Sequence, residues 1–536
     1  MVALTLITLL GLALRLPSLG NSLFGDELST YSIVTGHGPG QILHLLDGHS
    51  VDLTPPLYFE LTWLVSRLGR GPELLRAVSL LAGLAAIPLT YELGVLTVGR
   101  RTALAGSLLV ALSPFLIFFS TEARAYALLM ALALASTVAL LRGLQSNRLG
   151  WWVAYAALSA AAMYCHYTAV FVLAVQLIWA LVTHRARARA LLGANLAAAL
   201  AFAPWLPVLA KNRHSFGTRV FEIVDPFSLH AVLRDTAHWA VGHPYLSLGS
   251  EPGRLALGLI AVALVAGLVA IAWARRTGPS AATDPTSSAW LLPLLLAVAT
   301  PAGLAVYSAL GQSAWDERNL IASWPGLALT AATLVTAARA PLRHVLTGLL
   351  CLGFAIGAGS MLSSSRQRPD YAAAASYILG YGSSQDPVAV IPAPTPGPYT
   401  AMDASFAYAG APGRPLLRIG SAQLAAVLAA PPYAFLPQTP AATLAARTEA
   451  STGDGRVFVV APGTAAVAAL LRSGAVNAPR VLGPIFGTGT SGRLYSTVFV
   501  PLSAYLRAIA RRYALVTTRR LPGFLALSVY VFAVRR

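Results

Sequence analysis

The sequence predicts an α-helical polytopic membrane protein of about 11–13 crossings followed by a C-terminal extracytoplasmic α/β domain. Three observations predict it. The 536 residues are 56% hydrophobic and only 11% charged, with mean hydropathy +0.66, whereas soluble domains carry roughly 25% charged residues. The apolar residues fall into long runs separated by short basic clusters. After Leu362 the runs stop, and Pro, Gly, Ala and Ser take over.

A spanning helix needs roughly 20 mainly apolar residues. In chain order the candidates are Met1–Leu16, Leu74–Val98, Ala103–Phe119, Tyr126–Leu141, Trp151–Cys165, Thr168–Val182, Leu191–Leu209, Leu255–Ala274, Trp290–Leu310, Leu320–Ala338 and Val345–Leu362. Met1–Leu16 is apolar except for Arg15, and no small-residue cleavage site follows it, so it reads as an anchor. Pro55–Leu68 opens with Pro55-Pro56 and is short, so it reads as an interfacial or re-entrant piece. Basic clusters at Arg100-Arg101, Arg142 with Arg148, Arg185 to Arg189, Arg275-Arg276, and Arg339 with Arg343 define a cytoplasmic side. The net charge of +18 is therefore topology, with no nucleic-acid partner implied.

The opposite, outer side then holds the first loop over 17–56, the long loop over 211–254, and eight of the ten histidines. Residues 1–362 read as one transmembrane module and residues 363–536 as the external domain. Within the latter, β-like runs at Val388–Ile391, Tyr433–Leu436, Arg456–Val460, Leu494–Val500 and Phe524–Val534 alternate with helical pieces at Tyr371–Leu379, Ala422–Ala429, Ala441–Thr448 and Thr464–Leu471. The two cysteines, Cys165 and Cys351, form no paired motif, so neither a disulfide framework nor a cysteine metal site is implied.

Chemistry-bearing residues gather in the outer segments. Asp26-Glu27 places two carboxylates just after the first apolar run, and a charge at a membrane face marks a functional site by default. Further on come His49-Ser50-Val51-Asp52 leading through Thr54 to Pro55-Pro56-Leu57-Tyr58, then Arg76 with Ser79 one turn later. Ser113-Pro114-Phe115 leads to Glu122-Ala123-Arg124-Ala125-Tyr126, and Asp316-Glu317-Arg318-Asn319 opens a late helix. His166 marks an outer turn. Asp52, His49, His238 and His243 are weak candidates for a divalent metal, since no regular ligand spacing joins them.

In their order and spacing these motifs resemble the GT-C superfamily of polyprenyl-phosphate-sugar-dependent glycosyltransferases, in particular bacterial family 39 proteins such as protein O-mannosyltransferases and the lipid A aminoarabinose transferase. The resemblance covers roughly residues 1–370. It implies an inverting transfer of a sugar from a polyprenyl phosphate to an envelope glycan, glycolipid or protein hydroxyl, at the outer face of a bacterial inner membrane. Asp26 would be the base, since a hydroxyl needs a proton acceptor as it attacks, with Glu27 binding the acceptor or assisting. Arg124, Arg76 and Arg318 would hold the donor phosphate, because Arg meets phosphate bidentately. Glu122, Tyr126, Tyr58, His166, Asp52 and His49 would line the cavity. The chain departs from the pattern in having Thr54 where relatives often carry His, and Arg318-Asn319 where they often carry Arg-Tyr.

The rival class is a polyprenyl-lipid or glycolipid transporter without catalysis. Transporters are commonly built from repeats with broken helices at mid-membrane; here the polar clusters share one face and no repeat is visible. A non-catalytic scaffold would leave the acidic pair and Glu122-Ala123-Arg124 without purpose. A synthase using soluble nucleotide sugars would need its carboxylates on the cytoplasmic side.

Overall fold

A computed structural model describes residues 1–47, 52–69, 71–212, 227–277, 288–311, 313–390, 399–419, 441–452, 455–462, 502 and 504–535. Among these residues, seven helices are long and apolar enough to cross a membrane. They are Pro72–Thr97, Tyr126–Ser146, Arg185–Asn212, Gly249–Trp273, Leu291–Leu310, Glu317–Thr336 and Leu342–Ser360. A bent pair and three shorter apolar helices, Val2–Ser18, Leu149–Cys165 and Ala169–Thr183, accompany them. Each lies on one of the runs named above, and the chain is a multi-pass membrane protein. Pro55–Leu68 forms only a ten-residue helix, Leu57–Ser66, about 15 Å long and too short to span alone.

The run 103–119, expected as one helix, is two. Arg100–Leu112 and Pro114–Ser120 meet at 61°. The cause is Pro114, whose ring clashes with the preceding turn and whose missing N–H leaves the Val110 carbonyl unpaired. Ser113 caps the second piece by accepting from Leu116 N at 3.3 Å. Arg15, the one charge in the first helix, satisfies the break. Its guanidinium donates to Val110 O at 3.3 Å, Ala111 O at 3.1 Å and Gly11 O at 2.9 Å, and it is fully buried. A residue that costs several kcal/mol in lipid here supplies the donors that a proline removed.

Close helix approach uses small residues, as lipid-embedded bundles do. A Cβ on Gly83 would lie 2.1 Å from Ser120 Oγ, and one on Gly326 would lie 2.6 Å from Ala297 N. The Gly83 contact brings the short helix 114–120 against Pro72–Thr97, and so sets the height of the loop 121–125.

Beyond the last span, among the described residues, five strands form one mixed sheet in the order β2-β1-β3-β5-β4. They are β1 Val388–Val390, β2 Leu416–Arg418, β3 Arg456–Pro462, β4 Tyr513–Leu521 and β5 Leu527–Val534. β1 is parallel to β2 and β3, while β5 runs antiparallel between β3 and β4. The apolar β5 is interior and nearly all buried, whereas β4 is an edge strand carrying Arg519 and Arg520. β2 and β4 escaped the sequence reading because an edge strand with polar residues lacks the apolar run that marked β5. The expected elements at Tyr433–Leu436, Leu494–Val500, Ala422–Ala429 and Thr464–Leu471 lie outside the described residues.

This sheet region is stitched to the first loop. The Gln367 side-chain oxygen accepts from Ser18 Oγ at 2.8 Å and Asn21 Nδ2 at 2.6 Å. Ala372 N donates to Ser22 Oγ at 2.7 Å. Tyr31 meets Tyr399 and Tyr408 edge-on, with ring centroids 5.4 and 5.8 Å apart.

Candidate active site

The motifs nominated by the sequence converge at one end of the bundle. Gly25, with φ +60°, makes the left-handed turn that only glycine takes without strain, and the short helix Glu27–Val34 starts after it. Asp26 stands at the N-cap of that helix, yet its side chain makes no capping bond. It reaches instead to Arg318, 292 positions away, to form an ion pair. Arg318 is the second residue of the 3₁₀ run Glu317–Ser323, which is capped by Asp316 accepting from Arg318 N at 3.0 Å. The Arg318 guanidinium also pairs with Asp316 at 3.0 Å. The Asp26 and Arg318 side chains are 30% and 23% exposed.

The neighbouring carboxylates are far more enclosed. Glu27 is fully buried and held bidentately by Arg76, with both N–O distances 2.7 Å. It also accepts from Ala123 N at 2.8 Å and Phe24 N at 3.2 Å, and Arg368 lies 3.4 Å away. Burial alone would raise the Glu27 carboxyl, but the charges of Arg76 and Arg368 and these hydrogen bonds hold it below its ordinary range. Arg76 spends its remaining donors on the carbonyls of Leu19 at 2.6 Å, Asn21 at 2.5 Å and Ser22 at 3.0 Å. With all five guanidinium N–H groups engaged inside the protein, Arg76 ties the first loop to its helix. It does not present itself to a donor phosphate, as the sequence had led us to expect.

Arg124 pairs with Asp52 and donates to Thr54 Oγ1 at 3.2 Å. Asp52 further accepts from Ser29 Oγ at 2.7 Å and Thr54 N at 3.1 Å. Burial raises the Asp52 carboxyl, and Arg124 with these donors outweighs that and brings it down to about 2. Thr54 thus orients the Arg124 fork. The Arg124 carbonyl accepts from Ser79 Oγ at 3.0 Å, which bonds Tyr58 OH at 2.9 Å. Tyr58 is fully buried, so it buttresses this loop from inside rather than lining an open cavity. Arg124 also lies 5.9 Å from the Tyr126 ring, itself 5.7 Å from the His166 ring. Burial and the nearby Arg124 charge bring His166 down to about 4, so it is neutral.

The metal candidates do not assemble. His49 lies outside the described residues. His238 pairs with Glu317 at 3.5 Å, and that carboxylate outweighs burial to raise the imidazole. His243 packs between Phe118 and Phe524, at 4.9 and 5.8 Å between ring centroids. Asp52 is committed to Arg124. Among the described residues, no group of three His, Cys, Asp or Glu side chains is gathered as a cation would require.

Sequence reasoning missed Arg368 and Gln367, which lie beside the first loop although they follow the last span. Their only signal is the polar run Ser363–Arg368 at the junction. It also assigned no role to Ser29, whose hydroxyl holds Asp52.

Residues 54–210 match the family model described as dolichyl-phosphate-mannose-protein mannosyltransferase. No curated protein matches the chain by sequence. Among solved structures, the chain is similar to ArnT from Cupriavidus metallidurans bound to undecaprenyl phosphate, at 14% identity and TM-score 0.51, over 88% of this chain and 94% of that one. The apo form of that protein gives the same values. The archaeal oligosaccharyltransferase AglB from Archaeoglobus fulgidus, in complex with an inhibitory peptide and a dolichol-phosphate, is similar at 12% identity and TM-score 0.45, over 85% of this chain and 69% of that one. The chain thus shares the fold of ArnT, and its residues 54–210 match the dolichyl-phosphate-mannose-protein mannosyltransferase family model.

Proposed function

We propose that this protein is an inverting glycosyltransferase. It moves a mannose- or arabinose-like sugar from a polyprenyl-phosphate donor to a hydroxyl of a cell-envelope glycan, glycolipid or protein. The site and residues 363–536 face outward from a bacterial cytoplasmic membrane. The observation that carries this reading is the Asp26–Arg318 pair. The other ion pairs around Glu27 and Asp52 are sealed at 0–8% side-chain exposure, whereas this one stands open at 30% and 23%. It also joins a candidate base to a candidate phosphate ligand.

The chemistry follows from that pairing. A donor phosphate offers Arg318 a second anion, and charge-assisted bonds to phosphate are strong enough to compete with a partly solvated carboxylate. Asp26, released from the guanidinium, accepts the proton of the acceptor hydroxyl as its oxygen attacks the anomeric carbon. The bond from that carbon to the phosphate oxygen breaks on the opposite face, and polyprenyl phosphate departs with the electron pair. Arg124, neutralised by Asp52, positions the 121–126 loop. A groove of about 440 Å³ lined by Leu43, His44, Asp47, Pro56, Tyr164 and Trp205 adjoins the 52–56 segment and suits a lipid approaching from the side.

The test is transfer from a panel of radiolabelled polyprenyl-phosphate sugars by wild type and Asp26→Asn, with lipid binding measured in parallel. Transfer by wild type that collapses in Asp26→Asn while binding persists supports the reading. Lipid binding without transfer, indifferent to Asp26, would turn it toward a transporter.

A further inference from the structure

Three polar atoms beside this site are buried and have no hydrogen-bond partner among the described residues: Glu122 Oε2, Arg368 Nη2 and His243 Nε2. Their residues are 4%, 5% and 1% exposed. Each orphaned group carries an uncompensated desolvation cost, and a fold gains nothing by collecting three of them. They share one neighbourhood. The Arg368 guanidinium lies over the Phe118 ring at 4.4 Å, and the His243 ring is 4.9 Å from the same ring. Glu122 follows two residues after the helix that carries Phe118, and its charged neighbours are Arg368, Glu27, Asp26 and Arg318.

The donor and acceptor pattern identifies what fits. His243 Nδ1 accepts from Tyr245 N at 3.1 Å. That bond assigns the ring proton to Nε2, so the orphaned atom is a donor. Arg368 Nη2 is a second donor. Glu122 supplies the carboxyl, which burial pushes up to about 8, so at neutral pH it both donates and accepts. Two donors, a protonated carboxyl and the aromatic rings of Phe118 and Tyr245, whose centroids are 5.5 Å apart, match a ring bearing neutral hydroxyls, each able to give and take one bond. An ammonium substituent would meet the Arg368 charge.

We propose that Glu122, His243 and Arg368 form the subsite that recognises the transferred sugar, and that this sugar is an uncharged, hydroxylated ring. The inference rests on the glycosyltransferase reading and narrows its substrate class. Phe524, from the turn between β4 and β5, covers the subsite. It stacks on Tyr245 at 4.9 Å with the rings 3° from parallel, meets Phe24 at 5.4 Å, and is held by Phe524 N donating to Gln367 O at 2.8 Å. A sugar enters as that turn withdraws.

The experiment compares the purified full-length protein with Glu122→Met and His243→Phe. The probes are bare polyprenyl phosphate, a set of polyprenyl-phosphate neutral sugars, and a polyprenyl-phosphate amino sugar. Glu122→Met replaces the orphaned oxygen by an apolar group of similar size, so its melting temperature should hold or rise, whereas His243→Phe also removes the acceptor of Tyr245 N and should lower it modestly. The wild type should bind one neutral-sugar lipid at least about tenfold more tightly than the bare lipid. Both variants should cut that preference about tenfold, the equivalent of one lost hydrogen-bonded contact, with bare-lipid binding unchanged. Stable variants that keep the preference within about twofold, or a wild type that favours the amino sugar, would overturn the subsite. A wild type that prefers no sugar lipid and transfers none would overturn the glycosyltransferase reading, and the subsite with it.

Discussion

Glu27 belongs to the acidic pair that first marks the site, yet the structure makes it a scaffold residue, and Glu27→Gln tests that assignment. The substitution keeps the shape and an acceptor oxygen for Ala123 N, but removes the charge facing Arg76 in a fully buried, bidentate pair. Breaking a buried pair by removing one partner costs about 3–5 kcal/mol, because the remaining charge is left uncompensated. Arg368, 3.4 Å from the same carboxylate, loses a partner as well. Against a typical folding stability of about 5–15 kcal/mol, this is about a fifth or more of the total. Arg76→Met should cost at least as much, since the carbonyls of Leu19, Asn21 and Ser22 lose their donor. In the double variant, removing Arg76 after Glu27 should cost less than removing it alone, with a coupling of about 2 kcal/mol or more. The assay is denaturant or thermal unfolding of the purified protein in one detergent, with transfer activity normalised to the folded fraction. If Glu27→Gln is as stable as wild type to within about 0.5 kcal/mol but has lost activity, the scaffold argument fails and Glu27 takes part in the chemistry.

Other outcomes follow from the same geometry. Asp52 is lowered from the usual carboxylate value to about 2, so its pairing with Arg124 stabilises the fold above about pH 4 and is lost as pH falls through about 2; the contribution is roughly 2 kcal/mol. Asp52→Asn should flatten the acid limb of the stability profile over that window. Glu122 is raised to about 8, so its neutral form stabilises the fold at low pH and that advantage disappears as pH rises through about 8. Arg368, Glu27, Asp26 and Arg318 are the charges facing it. Affinity for the sugar-linked lipid should change through about pH 8 in wild type and not in Glu122→Gln; an unchanged profile in the variant would assign the titration to another group. Gly326→Ala places a Cβ within 2.6–2.9 Å of the backbone of Pro293, Leu296 and Ala297, where no side chain can yield. It should lower stability by about 1–3 kcal/mol, read as a fall in melting temperature.

Much of this architecture was legible in the chain because hydropathy is a local property. An apolar run such as Leu342–Ser360 or the interior strand β5 declares itself within about twenty residues, whatever surrounds it. Basic clusters, which set the expected orientation, are local for the same reason. The reading of 103–119 as one helix gave Pro114 too little weight, and the sequence does not say that Arg15 would repair the break, since that requires knowing that the first helix lies against Arg100–Leu112.

The site divides along the same line. Residue type and motif order nominated Asp26, Glu27, Asp52, Glu122, Arg124 and Arg318 without any coordinates. Which carboxylate meets which arginine was decided only by tertiary structure. Glu27 takes Arg76 across 49 positions, Asp52 takes Arg124 across 72, and Asp26 takes Arg318 across 292. Those choices separate a sealed scaffold from an open pair. They also bring Arg368 from beyond the last span to Glu27, where no local signal could have put it. Ion pairing depends on distance and burial after folding, and neither quantity exists in a linear chain.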